Sequence, residues 1–211
     1  PGLSAARNAG LAEARGDLVC FLDDDALPAP DWLAWICRAF DEHPSAVVVG
    51  GHIRLKLPDS PPRALRPGWR KYWSEFLTDD TDYTEVGSWA RFPWGANWSA
   101  RRDALRAVGG FRSRYGRTGD NYWGGEEMVA ASLMQRLGGA VAIEPRASVL
   151  HDVDPARFTI SHVFHTMVAG LRVYQRAQQD LYVPRQGRVA AVVLLNEVAD
   201  LRRRARRPVV S

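Results

Sequence analysis

Long apolar runs, cysteine and lysine are all scarce in this sequence, and each scarcity narrows what the chain can be. No run approaches the roughly 20 apolar residues that a membrane-spanning helix needs; Val189–Leu195 is far too short, and no signal peptide is visible. With two cysteines, Cys20 and Cys37, among apolar residues on separate expected elements, neither a disulfide framework nor a cysteine zinc site is available. They read as buried free thiols, as in a reducing cytoplasm. Only Lys56 and Lys71 among the 28 basic residues are lysines; that bias speaks of genome composition more than of chemistry.

Positive charge is also confined. Arg202, Arg203, Arg204, Arg206 and Arg207 form one short run, and taking these five from a net charge of +4 leaves the rest of the chain at −1. A near-neutral body argues against a nucleic-acid face. The tail reads as a solvated helix end or as a contact with anionic lipid at the inner face of a membrane. What remains is ordinary for a globular enzyme: 46% hydrophobic and 25% charged over 211 residues, enough for one well-buried core. The chain begins at Pro1, in a helix-like stretch, and so reads as a fragment that has lost upstream residues.

Periodicity predicts a helix over 3–15, stopped by Gly16, then an apolar run over 17–22 of the kind a buried parallel strand shows. Pro28 and Pro30 break the chain. Asp31 is placed to cap a helix to about 42 with Trp32, Leu33, Ile36 and Phe40 on one face. Residues 46–57 read as strand interrupted by Gly50-Gly51, and 58–68, with four prolines, as a loop between two halves. A short aromatic helix is expected over 69–77, a strand over 93–98, Ser99 as cap of a helix over 101–108, and a helix from Gly125 to Leu137. Strands over 141–143 and 147–150 and helices over 158–179 and 187–206 complete an α/β fold of three parts: 1–57, 58–157 and 158–211.

Two acidic blocks carry the chemistry. Asp23-Asp24-Asp25 ends the apolar run 17–22. Three carboxylates there repel one another unless a cation sits among them, and strand ends are where α/β folds place ligands. A hard divalent cation would relieve the repulsion and bridge a diphosphate. The plainer reading is an acidic turn before the next helix. Glu126 and Glu127 follow Gly124-Gly125 and open a helix, where acids also favour the dipole. Trp123 before the glycines suits a sugar ring, and a carboxylate beside it suits proton abstraction from a hydroxyl. His151 stands at another strand end as a candidate metal ligand. His43, His52, His162 and His165 have no such setting, and Trp89, Trp94 and Trp98 divide between core and acceptor wall.

In order along the chain, Gly2–Gly10, Phe21–Asp25, Trp94–Arg102 with Val108–Phe111, and Trp123–Glu127 resemble the blocks of glycosyltransferase family 2, across roughly residues 2–160. The Trp-Gly-Gly start of the last block is also similar to that of galactosyltransferases. The resemblance implies a GT-A, Rossmann-like mixed sheet flanked by helices, lacking its first nucleotide-binding strands. It implies inverting transfer from a nucleotide diphosphosugar to a hydroxyl acceptor, with Mg²⁺ or Mn²⁺, in bacterial polysaccharide or glycoconjugate synthesis. Asp25 would then be the acidic metal ligand, with His151 a second and Asp23 near the ribose or metal waters. Arg7 would lie near the nucleotide diphosphate or base, and Asp24, the middle position, would belong to the nucleotide-sugar site without a set role. Glu127, in place of the family's usual Asp, would be the base, with Glu126 as its rival. Trp123, Trp94, Gly125 and Glu126 would face the acceptor. Two other readings stand beside this one: a catalytically incompetent, glycan- or partner-binding version of the fold, and a phosphohydrolase of the haloacid dehalogenase type built on Asp23 and Asp25.

Overall fold

A computed structural model of the chain describes residues 2–119 and 124–181. The expected helix over 187–206 and the basic tail lie outside these residues, as does Trp123. The chain forms two compact units, Pro1–Val173 and Tyr174–Ser211; the second is described only to Leu181.

The first unit opens with helix α1 (Leu3–Glu13), followed by strands β1 (Leu18–Leu22) and β2 (Ala26–Pro28), helix α2 (Trp32–Glu42), and strands β3 (Ala46–Gly50) and β4 (Ile53–Leu55). After tight 3-10 turns at Arg63–Leu65 and Pro67–Trp73 come β5 (Thr84–Glu85), β6 (Asn97–Arg101), α3 (Arg102–Ala107), α4 (Glu126–Arg136), β7 (Ala140–Ile143) and β8 (Val149–His151). Helix α5 (Ile160–Leu181) ends the described chain.

The strands make a five-stranded mixed sheet, in order β1-β6-β3-β7-β5, and a three-stranded one, β2-β8-β4. Strands β3 and β7 run parallel, while β6 lies antiparallel between β1 and β3. The apolar run before the acidic triplet is therefore not the buried parallel strand expected. It pairs with β6 alone among the described residues, and its residues are mostly half-buried. An apolar run signals burial but not the direction of its neighbour.

Other expectations shift by local chemistry. Pro28 ends the short strand β2, where a break was expected; proline is tolerated where the ladder does not need its missing N–H. The Asp31 side chain makes no cap and instead accepts a bond from the Trp35 indole at 2.8 Å. Leu33 is exposed, and Ala39 takes its place on the buried face of α2. The strand expected over 93–98 starts later, at Asn97, so Ser99 sits buried in mid-strand and caps nothing. Residues 67–73 form a 3-10 helix rather than an α-helix over 69–77. Cys20 and Cys37 are free but only half-buried, and burial pushes the Cys20 thiol up.

The core lies between the five-stranded sheet and helices α2 and α4, with Ile36, Phe40, Val48, Trp98, Ala131 and Ile143 almost wholly shielded. Asn97 is buried among them and fully used. Its Oδ1 accepts from the Trp32 indole at 2.8 Å, and its Nδ2 donates to the carbonyls of Ala147 (2.7 Å) and His52 (3.2 Å). One amide thus ties α2 and the strand connections to the start of β6, which fixes the loop 93–96 beside the acidic triplet. Among the described residues no helix is long and apolar enough to cross a membrane.

Candidate active site

Strand pairing builds the first half of the site. In the β2–β8 ladder Ala26 faces His151, and the Asp152 amide donates to the Asp25 carbonyl at 2.8 Å. Asp25 is thereby set beside His151, with Oδ1 2.9 Å from Nε2. The other ring nitrogen, Nδ1, lies 2.9 Å from the Trp73 carbonyl and can only donate there. Neutral histidine would then turn a lone pair toward a carboxylate oxygen. Two acceptors facing each other call for a shared proton or a metal ion between or beside them.

Asp23 adds a third donor: one ligand atom each from Asp23, Asp25 and His151 lie within 4.8 Å of one another. Two carboxylate oxygens and an imidazole suit Mn²⁺ or Mg²⁺. Asp24, the middle residue, is exposed and contributes no atom to this group.

The second half is built on Arg7. Its guanidinium is buried at the inner face of α1, with Nη1 2.5 Å from Glu126 Oε1. Nη2 is shared between the Gly95 carbonyl at 3.0 Å and Asp23 Oδ1 at 3.2 Å. Gly95 must be bare, because a Cβ there would stand 2.6 Å from Arg7 Nη2. On its other side the Gly95 amide donates to Glu127 Oε1 at 3.3 Å, and Glu127 Oε2 is 4.0 Å from Arg7. Gly125, at φ +107°, gives the left-handed turn that starts α4 and sends both glutamates inward.

Three carboxyls therefore surround one guanidinium. Glu126 is nearly sealed, and its Oε2 has no partner among the described residues. Burial first, and the neighbouring Glu127 second, push its carboxyl up to about 8, while Arg7 pulls the other way. Glu127 keeps 12% of its side chain exposed against 1% for Glu126; of the pair, Glu127 is the one a substrate can reach.

Trp94 is half-exposed and lines an open cleft of about 540 Å³ together with Phe76, Asp79, Asp80, Lys71 and Arg91. Trp98 is wholly core and Trp89 half-buried. His52 is 3.2 Å from Thr78 Oγ1 and His162 stacks on Trp73. The sequence reading missed Gly95, the Trp73 carbonyl and Asn97. The Trp-Gly-Ala-Asn string was visible, but a backbone carbonyl leaves no mark in a sequence.

A family model described as Glycosyl transferase family 2 matches residues 1–109, more than half of the 211. The chain belongs to glycosyltransferase family 2. Within that family, it is 29% identical over 185 residues to the glucosyl-dolichyl phosphate glucuronosyltransferase of Haloferax volcanii, covering 87% of this chain and 57% of that protein. It is 29% identical over 164 residues to the succinoglycan biosynthesis protein ExoM of Rhizobium meliloti, covering 75% and 47%. This family 2 chain spans about half the length of the curated relatives it matches. Among solved structures, GalNAc-T7 with UDP, GalNAc and Mn²⁺ superimposes with a TM-score of 0.51 at 16% identity, covering 82% of this chain and 34% of that one. That likeness shows a shared GT-A fold.

Proposed function

We propose that this chain transfers a glycosyl group from a nucleoside diphosphosugar to a hydroxyl of a glycan or glycolipid acceptor, with inversion and with a divalent metal. The observation that carries the reading is that the two acidic blocks, about a hundred residues apart in sequence, converge on the single guanidinium of Arg7. Family membership and relatives named for glucuronosyl transfer and succinoglycan biosynthesis support it.

Asp25, His151 and Asp23 would hold Mn²⁺ or Mg²⁺, which supplies neutralising charge to a departing diphosphate. Residues 1–57 supply Asp23 and Asp25 to this half, and 58–157 supply His151 together with the acceptor side. Glu127 takes the proton of the acceptor hydroxyl while that oxygen forms its bond to the anomeric carbon. The bond from that carbon to the diphosphate breaks, and its electron pair leaves with the diphosphate. The Gly95 amide orients Glu127 for this, and Glu126 holds Arg7 in place. Trp94 offers its face to the acceptor ring, with Asp79 and Asp80 in the lining of the same cleft for its hydroxyls. A role for Trp123 toward the acceptor, and for exposed Asp24 on the diphosphate side, is part of the same proposal. Work at the cytoplasmic face of a membrane, with the arginine-rich tail against anionic lipid, belongs to the same proposal.

The test is a product assay of the full-length gene product with a panel of UDP- and GDP-sugars, with and without Mn²⁺. Metal-dependent transfer with an inverted anomeric centre is expected. Nucleotide-sugar binding without turnover would favour the non-catalytic reading.

A further inference from the structure

Arg7 touches both halves of the site, yet its bonds are unequal. Toward Glu126 it makes a buried contact of 2.5 Å, and toward the Gly95 carbonyl one of 3.0 Å. Its bond to Asp23 is the longest, at 3.2 Å, and uses a nitrogen already engaged by that carbonyl. Charge-assisted bonds weaken as they lengthen and are shared. Asp23 is also the most exposed of Arg7's carboxylate partners, at 33% of its side chain. Of the groups around Arg7, Asp23 is the one most easily taken by another cation, and it is also one of the three donors of the candidate metal site.

We propose that Arg7 is a positioning residue that holds Asp23 in the metal-free chain, yields it to the divalent cation, and by its own positive charge limits how tightly that cation is bound. This deepens the function proposed above and rests on its metal site. When the cation takes Asp23, Arg7 keeps Glu126 and the Gly95 carbonyl, so the acceptor side of the site stays ordered while the diphosphate side changes partner. A fixed guanidinium beside a divalent ion is a like-charge neighbour, and in a buried setting it is little screened by salt. Moderate metal affinity has a use here, because the ion must let the nucleoside diphosphate depart after each turnover.

The experiment is a Mn²⁺ titration of the full chain with no sugar nucleotide or acceptor present, followed by loss of the free-ion EPR signal. Arg7→Met removes the charge and is expected to bind Mn²⁺ roughly tenfold more tightly than wild type. Arg7→Lys keeps the charge but not the fork, and its affinity should stay within about twofold of wild type. A residue that merely supported the fold would weaken binding in both variants. Equal or weaker Mn²⁺ binding by a folded Arg7→Met chain overturns the inference. Should that variant fail to fold by circular dichroism, Arg7→Lys decides: an affinity lowered by about tenfold or more overturns it, and an unchanged one supports it. Wild-type chain that takes up no Mn²⁺ overturns this inference together with the metal site. Wild type that binds Mn²⁺, with Arg7→Met unchanged, overturns the inference alone.

Discussion

His151 Nε2 and Asp25 Oδ1 stand 2.9 Å apart although 126 residues separate them in sequence. The ladder that pairs Ala26 with His151 does this, so the pair is preorganised by backbone hydrogen bonds rather than by a flexible loop. Removing either side chain should lower Mn²⁺ affinity by more than the roughly 10- to 100-fold that loss of an outer-shell partner brings. Asp24→Ala should leave it unchanged, since that carboxylate is exposed and outside the cluster. Calorimetric titration with Mn²⁺ on the three variants checks both statements, and an Asp24 effect equal to that of Asp25 would refute the assignment.

The two glutamates should separate cleanly. Glu127→Gln is expected to lower kcat by roughly 10²–10⁴ with a small change in acceptor KM, because a general base contributes in the transition state. Glu126→Gln presents a neutral group of the same shape as the protonated carboxyl, whose pKa is pushed up to about 8, and should retain most turnover. An unchanged rate in Glu127→Gln sinks the base assignment.

Stability should bend with pH at both ends. The Glu126 carboxyl is raised from 4.5 to about 8 by burial and by Glu127, so its protonated form favours the fold. That contribution is complete below its unfolded value and is lost as pH rises through about 8. Compared with Glu126→Gln, the wild type should lose on the order of a few kcal/mol across this window. His162 is lowered from 6.5 to about 4, chiefly by burial, so its neutral form favours the fold. Its contribution is present above 6.5 and lost as pH falls through about 4. Thermal melts of wild type, Glu126→Gln and His162→Phe across pH would show the alkaline slope shrink in the first variant and the acid slope in the second.

Gly95→Ala probes the packing of the cluster. The added methyl would press on the Arg7 guanidinium, which three partners hold in a buried place. The expected result is a loss of about 1–3 kcal/mol of stability, as for overpacking elsewhere, with a larger fall in kcat than in melting temperature. Denaturant unfolding beside a kinetic assay checks it; wild-type values in both would show that Arg7 can move freely.

Much of this was legible in the residues themselves. Helix α2, the Gly50-Gly51 interruption and the helix opened by Gly125 follow from periodicity and punctuation. Both acidic blocks and His151 stand out because carboxylates and histidine at element ends call for a reason. What stayed hidden were relations that depend on pairing. The antiparallel insertion of β6 between β1 and β3 leaves no local signature, and Ser99 looked like a cap because its neighbours, not its own chemistry, put it in mid-strand. The contacts of Arg7 with Asp23, Gly95 and the glutamates likewise left no trace in the sequence. A helix pattern locates an arginine on a face, but the partners of that face are set by the rest of the chain.

The turn from Leu22 to Ala26 has a consequence for how this segment can vary. Asp23 must reach Arg7 and Asp25 must stand beside His151, while only exposed Asp24 lies between them. The residue in the middle is open to many substitutions, but the count is not. With β1 held in register by β6 and β2 by β8, one residue more or fewer would change the span between them, and with it the separation of Asp23 from Asp25. Length, rather than composition, is what this stretch cannot lose.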